Sequence, residues 1–251
     1  MERDQNLGMM GFSNGSLYDS SRPDYPDEAL TYFVSSFGLN PSTRILDLGA
    51  GTGIFTRQIL PYVGTTTAVE PSASMRDALR KSTPNVVVLE GSDVAIPLGD
   101  ESVDVVFVAQ AFHWFDAPRA LEEIHRVLAP GGGLGLIWNE RDESEDWVLA
   151  LSRAMQWDTK QPYDVGADFT ATIASGPFVD VERVTFAHAQ ILTREGLLRR
   201  VSSTSYISTM EDEQRDLLMG DVITVVDALT DPIVLPYITT AYSARAVMAH
   251  T

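Results

Sequence analysis

"RILDLGAGTGIFT", residues 44–56, joins three signals in one short stretch. An apolar run of strand type meets glycines at 49, 51 and 53, and the chain then turns amphipathic. Glycine is the costliest residue to order in a regular element, so three on alternate positions need a reason. They permit positive φ and a close approach of backbone to a ligand, while the N–H groups opening the next helix point at the same spot. The carboxylate of Asp47 stands just ahead of them. The stretch therefore predicts the first strand, the ligand loop and the first helix of an open parallel sheet, in which ligands lie at the carboxyl ends of the strands.

Working outward, the same rhythm recurs. Upstream, "YDSSRPDYPDEALTYFVSSFG" (18–38) places two prolines before a helical pattern that Gly38 ends. Downstream, "TTTAVE" (65–70) reads as a strand and "SASMRDALRK" (72–81) as a helix with Ser72 or Ser74 as N-cap. "NVVVLEG" (85–91) is a third strand, and "SVDVVFVAQA" (102–111) a fourth, almost continuously apolar as a strand covered on both faces should be. "APRALEEIHRVLAPGG" (117–132) reads as a helix closed by Pro and Gly, and "GLGLIWN" (133–139) as a fifth strand. Five strands alternating with helices over residues 27–139 imply an α/β, doubly wound, mostly parallel sheet with right-handed crossovers. After residue 140 the rhythm changes. Residues 143–157 look helical and 158–180 loop-like, "VERVTFAHAQIL" (181–192) alternates as a long strand, and 193–229 hold two helical patterns. "IVLPYITTAYSARAV" (233–247) returns to alternation, with Pro236 arguing for an edge, a bulge or a late start.

Composition narrows the function classes. The chain has 251 residues, 44% of them hydrophobic, enough for one large domain or a domain with an inserted subdomain. The net charge is −17, and Lys81 and Lys160 are the only lysines. Binding to nucleic acid needs a basic face that releases counterions, and no such cluster occurs, so neither nucleic acid nor an anionic membrane surface is an expected partner. The chain has no cysteine, which excludes disulfides and thiol chemistry. No apolar run reaches membrane-spanning length, and "MERDQNLGMMGFSNGS" (1–16) lacks the pattern of a signal peptide. A cytoplasmic location is the expectation.

Spacing separates the ligand classes. A dinucleotide fingerprint is G-x-G-x-x-G. Here Gly49-Ala50-Gly51-Thr52-Gly53 reads G-x-G-x-G, with Asp47 before it and Glu70 ending the next strand, where a carboxylate can accept both hydroxyls of a ribose. "RILDLGAGTGIFT", "VEPS" and "MR" resemble motifs I and II of the class I methyltransferases that use S-adenosylmethionine. "GSDVAIPLGDESVDVVFVAQAFHWFD" and "RALEEIHRVLAPGGGLGLIWNERD" match their following segments. With the leading "YDSSRPDYP" (18–26), the chain resembles the bacterial and fungal branch that includes trans-aconitate-type methyltransferases.

The resemblance implies a seven-stranded Rossmann-like methyltransferase fold with a helical lid, and S-adenosylmethionine as cofactor, leaving as S-adenosylhomocysteine. It implies roles position by position. Asp47 orders the glycine loop or meets the methionine amino group, and Gly49, Ala50, Gly51 and Gly53 pass beneath the cofactor. Glu70 takes the ribose, with Pro71 and Ser72 beside the adenine. Ser92, Asp93 and Val94 line the adenine edge, although relatives often carry Asp at position 92 or Glu at 94. Gln110 and Ala111 face the methionine portion, and Arg22 partners its carboxylate. The domain boundaries that follow are 1–26 as an N-terminal segment and lid element, 27–142 as the cofactor-binding core, 143–180 as a helical and loop insertion, and 181–251 as C-terminal strands with a helical lid at 193–229.

Methyl transfer from a sulfonium is an in-line displacement, so holding the reacting atoms collinear supplies much of the catalysis. A base is needed only if the nucleophile carries a proton. Candidates near the acceptor are Tyr18, His113 and Arg141 for catalysis, and Trp114, Asn139 and Tyr206 for substrate binding. His113 suits a base for a hydroxyl or amine acceptor, and equally suits packing or capping. A carboxylate acceptor needs no base, and Arg141 or Arg22 would orient it. His125 reads as solvated and His188 as structural, and no spacing makes a metal site. Trp138, Trp147 and Trp157 read as packing groups. "NERDESED" (139–146) reads as a solvated helix start and "LLRR" (197–200) as a solvated helix face. The expected partner is a small-molecule acceptor, handled by a monomer or a homodimer. Two competing readings keep the same sheet. One is a nicotinamide-dependent oxidoreductase, disfavoured because Asp77 and Gln156, not Tyr, stand four residues before the two lysines. The other is a protein that binds S-adenosylmethionine but catalyses a non-methylating reaction such as a cyclisation.

Overall fold

The computed structural model describes residues 22–157 and 167–248, and of Ser205 only the backbone. The candidate Tyr18 and the segment 1–16 lie outside the described residues. In chain order the elements are α1 (Asp27–Phe37), β1 (Arg44–Leu48), α2 (Ile54–Ile59), β2 (Thr65–Val69), α3 (Ala73–Ser82), β3 (Val87–Leu89), β4 (Val103–Ala109), α4 (Ala117–Val127) and β5 (Leu128–Arg141). They continue as α5 (Asp146–Ala154), α6 (Thr170–Ala174), β6 (Phe178–Leu192), α7 (Arg194–Ser202), α8 (Ser205–Ser208), α9 (Asp212–Val226) and β7 (Ile233–Ala246). The seven strands form one mostly parallel sheet in the order β3-β2-β1-β4-β5-β7-β6. Parallel ladders join β1 to β2 and β4, β2 to β3, and β4 to β5. Strand order reverses at β1 and β4, which makes their carboxyl ends the place for a ligand.

Two compact units emerge. One comprises the described residues of Asp24–Asn139, Asp168–Phe186 and Thr239–Thr251, and is called here the core unit. Its central strands are apolar almost throughout because both faces are covered. Successive residues of β4 divide between two clusters: Val106 and Val108 join Leu46, Leu134, Leu136 and Trp138, while Val105 and Phe107 join Ile45, Phe33, Phe55 and Ile137. This is the two-residue period of a strand buried on both sides. Gly133 and Gly135 of β5 make room for rings, since a Cβ there would lie 2.5 Å from Phe37 and 2.6 Å from Phe107.

The second unit comprises the described residues of Met1–Pro23, Glu140–Ala167 and Ala187–Ile238. Its own apolar cluster gathers Val148, Leu151 and Met155 of the α5 region, Leu197 and Val201 of α7, Leu218, Val222 and Val226 of α9, and Leu235 and Tyr237 of β7. Among the described residues, no helix is long and apolar enough to cross a membrane.

Several local expectations are corrected. The helix expected over 117–132 ends at Val127, because Leu128 already has extended backbone and pairs with Val103. Asn139–Arg141 belongs to β5 rather than to a solvated helix start, and α5 begins only at Asp146. The span 193–229 holds three helices, not two, and α6 lies within the stretch read as loop. Pro236 sits in an interior strand. It is tolerated because β5 ends at Arg141 beside it, and Asp142, the next residue, donates its N–H to the Pro236 carbonyl at 3.0 Å. Ser72 holds the N-cap position of α3, yet its hydroxyl meets Ser74 at 3.1 Å instead of capping the helix. His125 is half-buried, with Nε2 3.1 Å from the Val247 carbonyl, rather than simply solvated. His188 stacks on Tyr237 with ring centroids 5.4 Å apart.

Candidate functional site

The carboxyl ends of β1, β2 and β4 build the site in the core unit. Asp47 is fully buried. Its Oδ2 accepts the Thr56 hydroxyl at 2.5 Å, whereas Oδ1 has no hydrogen-bond partner among the described residues. Burial, with the charge of Glu70 acting in the same direction, pushes its pKa up to about 7 against the pull of Thr56. A buried acceptor without a donor is costly, and marks a place where a donor belongs.

The glycines that follow all have positive φ, at 74°, 57° and 86° for Gly49, Gly51 and Gly53. Each has a separate physical reason. A Cβ on Gly49 would lie 2.8 Å from the Cβ of Ala111, beyond β4, and one on Gly53 would lie 2.2 Å from Leu79 of α3. A Cβ on Gly51 would meet nothing within 4 Å. Gly49 and Gly53 therefore close the loop onto its neighbours, and Gly51 presents bare backbone to open space. The N–H groups of Gly49 and Ala50 both donate to the Val69 carbonyl, at 2.8 and 3.2 Å, which ties the loop to the end of β2.

Glu70 stands one residue beyond β2 and is only 8% exposed. Its Oε2 accepts the Gly51 N–H at 3.0 Å and its Oε1 the Ser72 N–H at 2.8 Å. Burial raises its pKa, opposed by these two bonds and by the charge of Arg76. Sequence reading gave Arg76 no role. Its guanidinium donates to the carbonyls of Glu70 and Pro71, at 2.9 and 2.7 Å, and pairs with Glu90 at 2.7 Å. An arginine on the apolar face of α3, between Met75 and Leu79, was the available signal.

The remaining cofactor candidates follow β3 and β4. Ser92 bridges to Ala95 through two backbone bonds of 3.3 Å, with Asp93 and Val94 at the tip. Asp93 Oδ2 accepts the Asp116 N–H at 2.9 Å, and burial raises its pKa. Gln110 stands one residue beyond β4 with φ at 56°, a left-handed conformation that non-glycine residues seldom adopt outside functional turns. Its Nε2 donates to the Asn139 carbonyl at 3.0 Å.

The acceptor candidates have definite placements. His113 is buried, and its Nδ1 accepts the Trp138 indole N–H at 3.3 Å. Burial holds its pKa down to about 3, so the ring is neutral at physiological pH and a feeble base. Trp114 packs its ring against it with centroids 5.0 Å apart. Asn139 uses both ends of its amide: Nδ2 donates to the Asp24 carbonyl at 3.1 Å, and Oδ1 accepts the Thr239 hydroxyl at 2.6 Å. Arg22, Arg141 and Tyr206 belong to the second unit. Arg22 donates to the Ser203 carbonyl at 3.4 Å. Arg141 donates from Nε and Nη2 to the Ser152 hydroxyl, both at 3.2 Å, and lies 4.2 Å over the Trp157 ring. Tyr206 donates to the Met155 carbonyl at 2.6 Å, and burial raises its pKa. The reading of "LLRR" as a solvated face fails for two of its residues, since Leu197 is fully buried and Arg200 is only 7% exposed, while Arg199 is exposed. Among the described residues, no group of three or more His, Cys, Asp or Glu side chains could hold a metal ion.

Known proteins resemble this chain in sequence and in fold. The family model for a methyltransferase domain matches residues 46–136, from Leu46 of β1 to Leu136 of β5. A Mycobacterium tuberculosis protein named as an uncharacterized methyltransferase is 37% identical over 248 residues, covering 96% of this chain and 97% of the relative. Among solved structures, the YcgJ protein of Bacillus subtilis matches with a TM-score of 0.59 at 18% identity, over 89% of this chain and 100% of its own. The phosphoethanolamine N-methyltransferase 2 of Haemonchus contortus was solved with phosphomonomethylethanolamine and S-adenosylhomocysteine. It matches with a TM-score of 0.59 at 16% identity, over 98% of this chain and 60% of its own. The two structures share the fold, and the mycobacterial relative carries the family. With the glycine loop, Asp47 and Glu70 in their places and a relative aligned along nearly its whole length, the chain belongs to the class I S-adenosylmethionine-dependent methyltransferases.

Proposed function

We propose that the protein binds S-adenosylmethionine in the core unit and transfers its methyl group to a small-molecule acceptor. The observation that carries the reading is the unsatisfied Asp47 Oδ1 beside the open backbone of Gly51, with Glu70 fixed opposite on the neighbouring strand end. These residues fit the group. Asp47 offers a buried acceptor for an ammonium donor, Gly51 a surface without Cβ, and Glu70 a carboxylate for two ribose hydroxyls. The H. contortus protein, with S-adenosylhomocysteine in the same fold, supports the choice of cofactor.

When bound, the sulfonium supplies an already activated methyl group. The chain then has to hold it in line with the nucleophile and exclude water. His113 is a poor choice for removing a proton, being buried and neutral, and in this proposal it packs the turn after β4 and accepts the Trp138 N–H. The reading therefore favours an acceptor atom that needs no deprotonation by the protein, such as an ionised oxygen.

Asp47 supplies a test with a defined sign. Its pKa in the folded chain, about 7, lies above the ordinary 3.8, so protonation is favoured in the free protein below pH 7. A cationic ligand favours the ionised form. Affinity for S-adenosylmethionine is expected to rise as pH climbs from 5.5 toward about 7, by up to about tenfold per pH unit, and to level off above. Calorimetry near pH 6 in buffers of different ionisation heat should show proton release on binding. Wild-type binding that is flat across this range, or no binding at all, would count against the assignment. The same shift makes folding stability of the ligand-free chain decline between about pH 4 and 7, since the native state holds the extra proton there.

A further inference from the structure

We propose that the second unit holds an oxyanion-binding site formed by Arg141 and Arg200, which takes a carboxylate or phosphate group of a small ligand. Arg200 shares a face of α7 with Leu197 and Val201, and all three are buried. Its Nε is buried without a hydrogen-bond partner, and its guanidinium pairs with no carboxylate among the described residues. The adjacent Arg199 behaves as a surface arginine, exposed and paired with Glu195 at 3.3 Å.

Arg141, at the end of β5, is half-buried and held from two sides. Its Nε–Nη2 edge is bound to the buried hydroxyl of Ser152, and its face lies over Trp157. Its Nη1 takes no part in that contact. Ser152 sits on the same side of α5 as Val148 and Leu151, and these residues join Leu197 and Val201 in one apolar cluster. The two guanidiniums are thus carried by elements packed into a single core. Arg141 likewise has no carboxylate within ion-pair distance among the described residues. Its pKa is lowered by burial and, next, by the positive charge of Arg200, opposed by Tyr237, Tyr206 and, last, the charge of Glu143.

Two like charges, one buried and one half-buried, with no carboxylate in ion-pair contact among the described residues, are an unfavourable arrangement that an anion would relieve. Buried arginines are ordinarily paired, and the planar fork of donors matches the oxygens of a carboxylate or phosphate. A structural ion pair would have supplied its own acid, and this chain has acid to spare at net charge −17. That same net charge repels anions at long range, so attraction has to come from the local pair. The inference uses only the second unit, and it stands or falls separately from the methyltransferase reading.

The test uses the full chain at constant ionic strength, with thermal unfolding and calorimetry against succinate, inorganic phosphate and the uncharged succinamide. Saturable stabilisation by succinate or phosphate and none by succinamide is expected. Preference for succinate assigns a carboxylate, and preference for phosphate a phosphoryl group. Arg200→Met should weaken the preferred anion by about tenfold or more, while melting no lower than wild type without ligand because a buried charge has been removed. Its affinity for S-adenosylhomocysteine should stay unchanged. The proposal is overturned if neither anion binds the wild type better than succinamide, or if Arg200→Met binds the anion as before. A variant that melts lower without ligand overturns it too, by giving Arg200 a structural role. S-adenosylhomocysteine binding, read separately in each protein, reports on the methyltransferase assignment alone.

Discussion

Replacing Glu70 with alanine is expected to weaken S-adenosylmethionine binding by about a hundredfold or more. A hydrogen bond to a charged group contributes about 1.5–3 kcal/mol, and in the proposed complex two ribose hydroxyls would share this carboxylate, so a loss of about 3 kcal/mol is the lower figure. A second effect adds to it. The N–H groups of Gly51 and Ser72 both donate to Glu70, and alanine leaves the two donors without their acceptor. The loop would then loosen at the residue that presents its backbone to the ligand. Glu70→Gln, which keeps an oxygen of similar reach but loses the charge, should fall between wild type and alanine. Calorimetric titration of the three proteins measures the series. Equal affinity across it would remove Glu70 from the nucleoside site.

Gly53→Ala is expected to act on stability instead. The backbone at Gly53 has φ at 86°, and the new Cβ would lie 2.2 Å from Leu79 Cδ1, inside a fully buried contact. Left-handed backbone costs an L-residue about 1–2 kcal/mol, and overpacking a buried site a further ~1–3 kcal/mol. The variant should therefore lose about 2–5 kcal/mol, a fall in Tm of roughly 10 °C for a chain of this size. Gly51→Ala makes the informative comparison. It bears the left-handed strain but enters open space, so it should melt much closer to wild type while binding the cofactor poorly. Differential scanning calorimetry on the two variants separates these roles. Equal melting temperatures would mean that Leu79 turns aside freely.

β1, β4 and the apolar stretch of β5 were legible because each is an apolar run bounded by turn residues, which is how strands covered on both faces are written. Asp47 and Glu70 stood out as candidates for a related reason: an acid inside or just beyond an apolar strand interrupts the pattern. Other features had no local signal. Gln110 is left-handed through its place between β4 and the turn that follows, and nothing in its own identity announces that. Asn139 has its amide bonded to Asp24 and Thr239, partners remote in sequence. Arg199 and Arg200 are neighbours of identical chemistry, and only the rotation of α7 sends one to Glu195 at the surface and the other inward beside Leu197 and Val201. The two adjacent leucines ahead of them left that rotation ambiguous. Pro236 misled because the local rule concerns ladder bonds, and the end of β5 at Arg141 is a fact about another strand.

The seating of Glu70 on the Gly51 and Ser72 amides bears on how a nucleoside is received. Both contacts exist within the chain itself, so the bend proposed to lie beneath the visitor is held by its own anchor without a ligand. A receptor already stiff at first encounter loses little further conformational entropy when the complex forms. Selectivity in this corner would then come from shape fixed beforehand, with little room for molding around an ill-fitting sugar.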